Sequence, residues 1–373
     1  MKLSLMQENL ARGLSVVSRA VGSGRSTLPV LANVLLRTED AGLKLTGTNL
    51  EIGITTWVPG KIETEGALTV PARLITDVVG GLRAGERVDL EVEGGTTLHV
   101  RSGRAQARVR GIVADDFPVV GTSGERPAVR LPQKVLRHAL AGVVFAAATD
   151  EARPILTGVL TRFSGSTLTL AAADNYRIAV RTIDLGAVAD EASIVVPGRS
   201  YAELMRILSD TDEPVEIVLA PSRNQVVFRV EGTELVTRLI DGQFPNFQQV
   251  LPASWVTRVV MDRDELLTAV RLSALIASSS ANVVRLRIGE SGPGAITIAA
   301  SADIGDTEGE VEASVDGDPV TISFNARYLA EALQNMAADQ LALELGGPLS
   351  PGVLRLVGDD GYVHVIMPVR TPS

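Results

Sequence analysis

The chain has 373 residues, no cysteine and a formal net charge of −9 at pH 7, so disulfides, thiolate chemistry and cysteine-ligated zinc are excluded. The negative total argues against a protein that wraps nucleic acid with its whole surface, but it leaves room for one basic face. Aromatic residues are only 3% of the chain, so its cores must rest on Leu, Val, Ile and Ala.

The first residues, Met1-Lys2-Leu3-Ser4-Leu5-Met6-Gln7-Glu8, are too polar for a signal peptide. Leu10, Leu14, Val17 and Val21 then follow helical spacing in one apolar stripe, with Arg12 and Arg19 on a different face. Alternation over Leu43-Lys44-Leu45-Thr46 predicts a strand. Pro71 opens a second predicted helix, in which Leu74, Ile75, Val78, Val79 and Leu82 face the core and Gly80-Gly81 loosen the end. Strand alternation returns in Val88-Asp89-Leu90-Glu91-Val92 and Leu98-His99-Val100, and a linker is expected near 121–127. Pro132 opens a third helix with Val135, Leu136, Ala139, Leu140 and Val143 inward, and Pro197 a fourth with Tyr201, Leu204, Met205 and Leu208 inward. A hairpin is expected from Val215-Glu216-Ile217-Val218-Leu219 and Gln225-Val226-Val227-Phe228-Arg229-Val230, followed by a second linker near 251–255. Asp264 starts a fifth helix containing Leu266, Leu267, Val270 and Ala274, and Asn325 caps a sixth containing Tyr328, Leu329, Ala332, Leu333 and Met336. Leu341-Ala342-Leu343-Glu344-Leu345 and Val353-Leu354-Arg355-Leu356-Val357 predict a last hairpin. No apolar run reaches membrane-spanning length, so a soluble cytoplasmic protein is expected.

These elements repeat. Leu68-Thr69-Val70-Pro71-Ala72-Arg73, Ile194-Val195-Val196-Pro197-Gly198-Arg199 and Ile322-Ser323-Phe324-Asn325-Ala326-Arg327 open equivalent amphipathic stretches, 126 and 128 residues apart. A second element recurs with them over 43–54, 168–180 and about 296–308. Tandem triplication predicts three α+β domains, each an antiparallel sheet with two helices on one side, with bounds 1–122, 129–252 and 253–373. Such a chain is built by symmetry rather than around one cleft.

The repeat carries a charge signal. Arg73, Arg199 and Arg327 stand at one shared offset, and Arg12, Arg19, Lys134, Arg137, Arg206 and Arg271 also fall on predicted helices. Glu8, Asp77, Glu203, Glu265 and Glu331 are the fewer helical acids, while Glu91, Glu93, Glu308, Glu310, Glu312, Asp316 and Asp318 lie on strands and loops. Any one of these arginines taken singly reads as solvated surface. The set predicts an electropositive, helix-covered face that contacts phosphates without reading bases.

Catalytic chemistry finds little support. His99, His138 and His364 fall one per domain and have structural or solvated roles as their plain reading. Asp115, Asp116 and Asp303 match no calcium loop. Gly22-Ser23-Gly24-Arg25 lacks the Gly-Lys-Ser/Thr of a nucleotide-binding loop, and no Gly-x-Ser-x-Gly elbow occurs. A non-enzyme without metal or cofactor is expected.

Several ordered motifs resemble the bacterial sliding clamp family, the beta subunits of DNA polymerase III. They are Thr27-Leu28-Pro29-Val30-Leu31-Ala32-Asn33-Val34-Leu35-Leu36, Leu45-Thr46-Gly47-Thr48-Asn49-Leu50-Glu51, Val100-Arg101-Ser102-Gly103-Arg104 and Asp116-Phe117-Pro118. Ile240-Asp241-Gly242-Gln243-Phe244-Pro245 and Tyr362-Val363-His364-Val365-Ile366-Met367-Pro368-Val369-Arg370 complete the set, so the resemblance spans essentially the whole chain. It implies a head-to-tail homodimer closing six domains into a ring, with helices lining the hole and sheets outside. It implies a non-catalytic processivity factor in the cytoplasm, at the nucleoid and replisome. The partners implied are double-stranded DNA without sequence preference, the replicative polymerase alpha subunit, the clamp loader delta subunit and other replication and repair proteins carrying short clamp-binding motifs.

By the same resemblance, Leu156, Ile178, Pro245, Val250, Val365, Met367 and Pro368 line a partner-peptide pocket, with Tyr176, Arg177, Gln249, Val369 and Arg370 around it. Asn175-Tyr176-Arg177 stands where many relatives have Gly-His-Arg, Gln249 where an arginine is frequent and Val369 where methionine is common. These departures bear on peptide preference. DNA-facing residues are expected at Arg25, Arg73, Arg199 and Arg327, with Lys134, Arg137 and Arg206 beside them. The dimer contact is expected to join 103–110, including Ala107 and Val109, to Leu275 and Ile276 of the other copy. Ala107 stands where some relatives have phenylalanine. Two other readings compete: a repeated-sheet scaffold that does not encircle DNA, and an enzyme with an acidic metal site. Neither accounts for the shared basic offset.

Overall fold

The apolar stripes become six α-helices among the residues described by the computed structural model, which are 1–22, 28–39, 42–120, 127–220, 224–252, 254–289 and 294–370. They are α1 (Gln7–Val17), α2 (Ala72–Gly80), α3 (Gln133–Ala141), α4 (Gly198–Ile207), α5 (Arg263–Ala277) and α6 (Ala326–Asn335). None is long and apolar enough to cross a membrane.

Pro71, Pro132 and Pro197 do not open helices as expected. Each is the last residue of the preceding strand. A proline leaving a sheet has no N–H to give to the ladder, and its restricted φ, −54° at Pro71, suits the turn into a helix. α5 also begins one residue before Asp264, because the Asp262 carboxylate accepts from the N–H groups of Asp264 and Glu265, at 2.8 and 2.9 Å. Asn325 caps α6 in the same way, accepting from the N–H groups of Arg327 and Tyr328 at 3.0 and 3.2 Å.

The described residues form two compact units, 1–133 with 202–239 and 134–201 with 240–373. The first holds a five-stranded sheet ordered Lys61–Thr64, Lys2–Met6, Arg87–Glu93, Thr97–Ser102, Ala105–Arg110. It also holds an eight-stranded sheet that runs through the boundary between repeats. There the strand Thr233–Arg238 pairs antiparallel with Ile52–Pro59, placing Leu235 opposite Ile54. The second unit is built on twelve strands, and again a boundary is crossed: Arg177–Asp184 pairs antiparallel with Asp359–Ile366, placing Ile178 opposite Val365. The expected hairpins form, with Val218 opposite Val227 and Leu343 opposite Leu354.

In the first unit α1 buries Leu10, Leu14 and Val17 against the hairpin of Gly42–Thr48 and Ile52–Pro59. Two glycines permit the close approach. A Cβ on Gly13 would lie 2.7 Å from the Val58 side chain, and one on Gly47 would lie 2.3 Å from the Val17 carbonyl oxygen. α2 packs beside α1 through Ala72, Ile75 and Val79. Leu74, expected inside, is half exposed, because a nine-residue helix with inward positions 72, 75 and 79 turns its second and third residues outward. In the second unit α5 and α6 pack together over a sheet core that includes Ile296, Ile298, Phe324, Leu341 and Leu343.

Candidate peptide pocket and nucleic-acid face

A cavity of about 330 Å³ opens in the second unit. Register explains its floor: Ile178 and Val365 are cross-strand partners and present side chains to one face. Leu156, Phe244 and Phe247 are buried around it, and Tyr176, Pro245, Val250 and Met367 form an exposed rim. Leu156, Tyr176, Arg177, Ile178, Pro245, Val250, Val365 and Met367 are thus brought together. Gln249, Pro368, Val369 and Arg370 do not line the cavity. The chain carries Val369 past it, where the Val369 N–H donates to the Ser323 carbonyl at 2.8 Å. Sequence reasoning missed Phe244, Phe247, Arg153, Asp174 and Asn246 as lining residues. The available signal was two of the seven phenylalanines flanking Pro245 within four residues.

Arg177, expected at the rim, is 6% exposed. Its Nε donates to Asp174 at 3.1 Å, one Nη to Glu331 at 2.6 Å and the other to the Phe145 carbonyl at 2.9 Å. The guanidinium also lies over the rings of Tyr328 and Phe145, 4.5 and 5.4 Å from their centroids. It therefore braces the wall from behind, and the exposed group on that side is Tyr176, which stacks on Tyr328 at 5.9 Å. Asp174 shapes the turn, accepting from the N–H groups of Tyr176 and Arg177 at 2.7 and 3.0 Å. Burial pushes the Glu331 carboxyl up, but hydrogen bonds and charge from Arg327 and Arg177 outweigh it and hold the group below the usual carboxylate range. The result is an apolar cleft with a few fixed polar groups, the form of a peptide groove.

The three arginines at the shared offset, expected to face DNA, stand on α2, α4 and α6. Arg73, Arg199 and Arg327 each occupy the second position of one of these helices, and all three are exposed. Arg73 lies 3.9 Å from Asp77 and Arg327 is 2.9 Å from Glu331, each an i,i+4 pair. Arg137 and Arg206 are exposed on α3 and α4, Arg206 being 2.7 Å from Glu203, and Lys134 is half-buried. Arg25 lies outside the described residues. A cation at a helix N-terminus opposes the helix dipole, so the placement is locally unfavourable three times over. The positive end of a helix and an exposed arginine together suit an anion such as phosphate.

Residues expected at the dimer contact fall on one end strand and on helix α5. Ala107 and Val109 lie on Ala105–Arg110, the end strand of the five-stranded sheet. Val109 is only 1% exposed, so its side chain belongs to this chain's own core and only its backbone can meet a partner. Leu275 is 68% exposed on α5, with Leu272 half exposed and Ile276 half-buried. Leu272 and Ile304, which sequence reasoning did not name, are further exposed apolar side chains.

Residues 1–121, 130–246 and 248–370 match the N-terminal, central and C-terminal domains of the DNA polymerase III beta subunit. A beta sliding clamp from Synechococcus elongatus is 36% identical over 379 residues, and one from Staphylococcus aureus 29% over 382, both covering the whole of each chain. Among solved structures, the DNA polymerase sliding clamp of Bacillus subtilis aligns with a TM-score of 0.94 at 30% identity. A sliding clamp from Pseudomonas aeruginosa bound to griselimycin aligns at 0.92 and 30%, and both alignments cover the whole of each chain. With three domain matches in order over the full length and a shared fold, the chain belongs to the DNA polymerase III beta subunit family.

Proposed function

We infer that two copies of this chain close head to tail around duplex DNA and act as a sliding clamp, with domains at 1–122, 129–252 and 253–373. The observation that carries this reading is strand sharing. Ile52–Pro59 of the first repeat meets Thr233–Arg238, the last strand of the second, and Arg177–Asp184 of the second meets Asp359–Ile366, the last of the third. The counterpart in the third repeat is 305–312, and the last strand of the first repeat is Ala105–Arg110. Among the described residues, each is hydrogen-bonded to a strand on one side only. Joining them within one chain would leave a three-domain circle, whereas joining them between two copies gives six domains and a twofold axis. Their charges complement: Arg104, Arg108 and Arg110 against Asp306, Glu308, Glu310 and Glu312. Leu272, Leu275 and Ile304 would supply the apolar part.

A closed ring leaves DNA only by opening, and it slides because phosphate contacts from Arg73, Arg199, Arg327 and their neighbours are nearly sequence-independent. The cavity by Tyr176 and Met367 takes short, partly apolar segments of the polymerase alpha subunit, the clamp loader delta subunit and repair proteins. Tethering keeps the polymerase at high effective concentration near the primer end, with no bond made or broken by the clamp. The test is retention on circular primed DNA after loader-assisted assembly. Retention on circles with rapid loss once they are linearised is the expected result, whereas equal retention on both would mean that ordinary affinity holds the protein.

A further inference from the structure

Glu331 touches both candidate surfaces. One carboxylate oxygen accepts from Nε of Arg327 at 2.9 Å, and the other from a terminal nitrogen of Arg177 at 2.6 Å. The two arginines differ in what they can do next. The Arg327 side chain is 76% exposed, so its pair with Glu331 is weak and open to exchange. Arg177 is enclosed by Phe145, Tyr328 and Asp174, and its burial keeps it from any anion in solution.

We propose that Glu331 is a positioning residue through which occupation of the DNA face tightens the partner pocket. This rests on the reading above, in which Arg327 meets phosphate and the cavity takes a peptide. A phosphate offers Arg327 a stronger charge-assisted partner than an exposed carboxylate does. Once Arg327 turns to it, the charge of Glu331 falls on Arg177 alone and draws the guanidinium harder onto Tyr328. Asp174, bonded to the same guanidinium, holds the backbone of 176 and 177. The Tyr176 carbonyl in turn accepts from the Met367 N–H at 2.8 Å, so the two exposed rim residues are tied together. A wall ordered in advance lowers the ordering cost of binding, and the partner therefore binds more tightly on DNA. The element with two arrangements is Arg327 itself, on Glu331 or on phosphate. By linkage, a bound partner favours DNA by the same factor. Were Glu331 and Arg327 merely a helix-stabilising i,i+4 pair, the pocket would be indifferent to DNA.

The test takes labelled griselimycin, the ligand of the Pseudomonas aeruginosa clamp, as the probe of the cavity beside Tyr176 and Met367, and measures its binding to the dimer with and without saturating linear duplex, together with amide exchange at Tyr176 and Arg177. We expect DNA to tighten binding about fivefold, the low end for coupled sites, and to slow exchange at both amides. Arg327→Ala should bind tightly without DNA, since its Glu331 is already committed to Arg177. Glu331→Gln should bind weakly and ignore DNA. Met367→Glu, at the exposed rim, separates the two readings. If it abolishes binding while DNA changes neither affinity nor exchange in the parent protein, the relay is wrong and the pocket stands. If it leaves binding unchanged, the pocket reading falls and the proposal with it.

Discussion

His364 is completely buried, stacked on Phe145 at 5.6 Å, and neither ring nitrogen has a hydrogen-bond partner. Burial, and then the nearby Arg177 charge, lower its pKa to about 3. In the unfolded chain the imidazole returns to about 6.5. Between those values the unfolded state binds the extra proton, so stability falls as pH drops below about 6.5 and continues to fall until about 3. Going from pH 7 to pH 5 should therefore cost about 2 kcal/mol through this residue alone. Urea unfolding of the parent chain and of His364→Phe at both pH values checks it, and the variant should lose that much less stability. The sequence left His364 as structural or solvated, and its complete burial in the fold decides for the structural role. The burial of Arg177 was not legible, since Asp174, Phe145 and Glu331 lie 3, 32 and 154 residues away along the chain.

Helix starts decide what the elements do. Asn325 gives α6 a side-chain cap, whereas Pro71 gives α2 none. Asn325→Ala should cost about 1 kcal/mol, measured as a shift in the urea midpoint at constant slope. The three arginines that follow these starts act together. Replacing Arg73, Arg199 and Arg327 with Ala should lower the slope of log binding constant against log salt by about 0.9 for each phosphate no longer neutralised, without altering sequence preference. An unchanged slope in the triple variant would remove these helices from the DNA face. Apolar periodicity located all six helices. It missed the first residue where a proline ends a strand, and it placed Leu74 inside, because composition cannot say how far around a short helix the covered stripe extends.

For the whole molecule, the open strand margins at Ala105–Arg110 and 305–312 are the consequential feature. Leu275 is largely exposed in a single copy, so Leu275→Ala should leave the fold intact and weaken the dimer by about tenfold, as expected when an apolar side chain is removed from a packed interface. Sedimentation equilibrium reads this directly, and an unchanged dimer constant would place Leu275 outside the interface. Arg108→Glu should also weaken the dimer, and Glu310→Arg in the same chain should restore part of it, since each then meets an opposite charge again.

Local pattern alone determined a good deal of this protein. The triplication, the six helices, the hairpins and the shared arginine offset follow from periodicity and turn chemistry, which act over a few residues. The pocket's Leu156, Ile178 and Met367 were legible only through family resemblance, because nothing local separates them from ordinary core. Tertiary structure alone decided that sheets continue through the repeat boundaries, that Val109 turns inward, and that Gln249 and Arg370 stand off the cavity. It also joined Arg327, Glu331 and Arg177. The physical reason is that strand register and buried charge pairing are set by contacts between distant segments, and no periodicity within a segment encodes them.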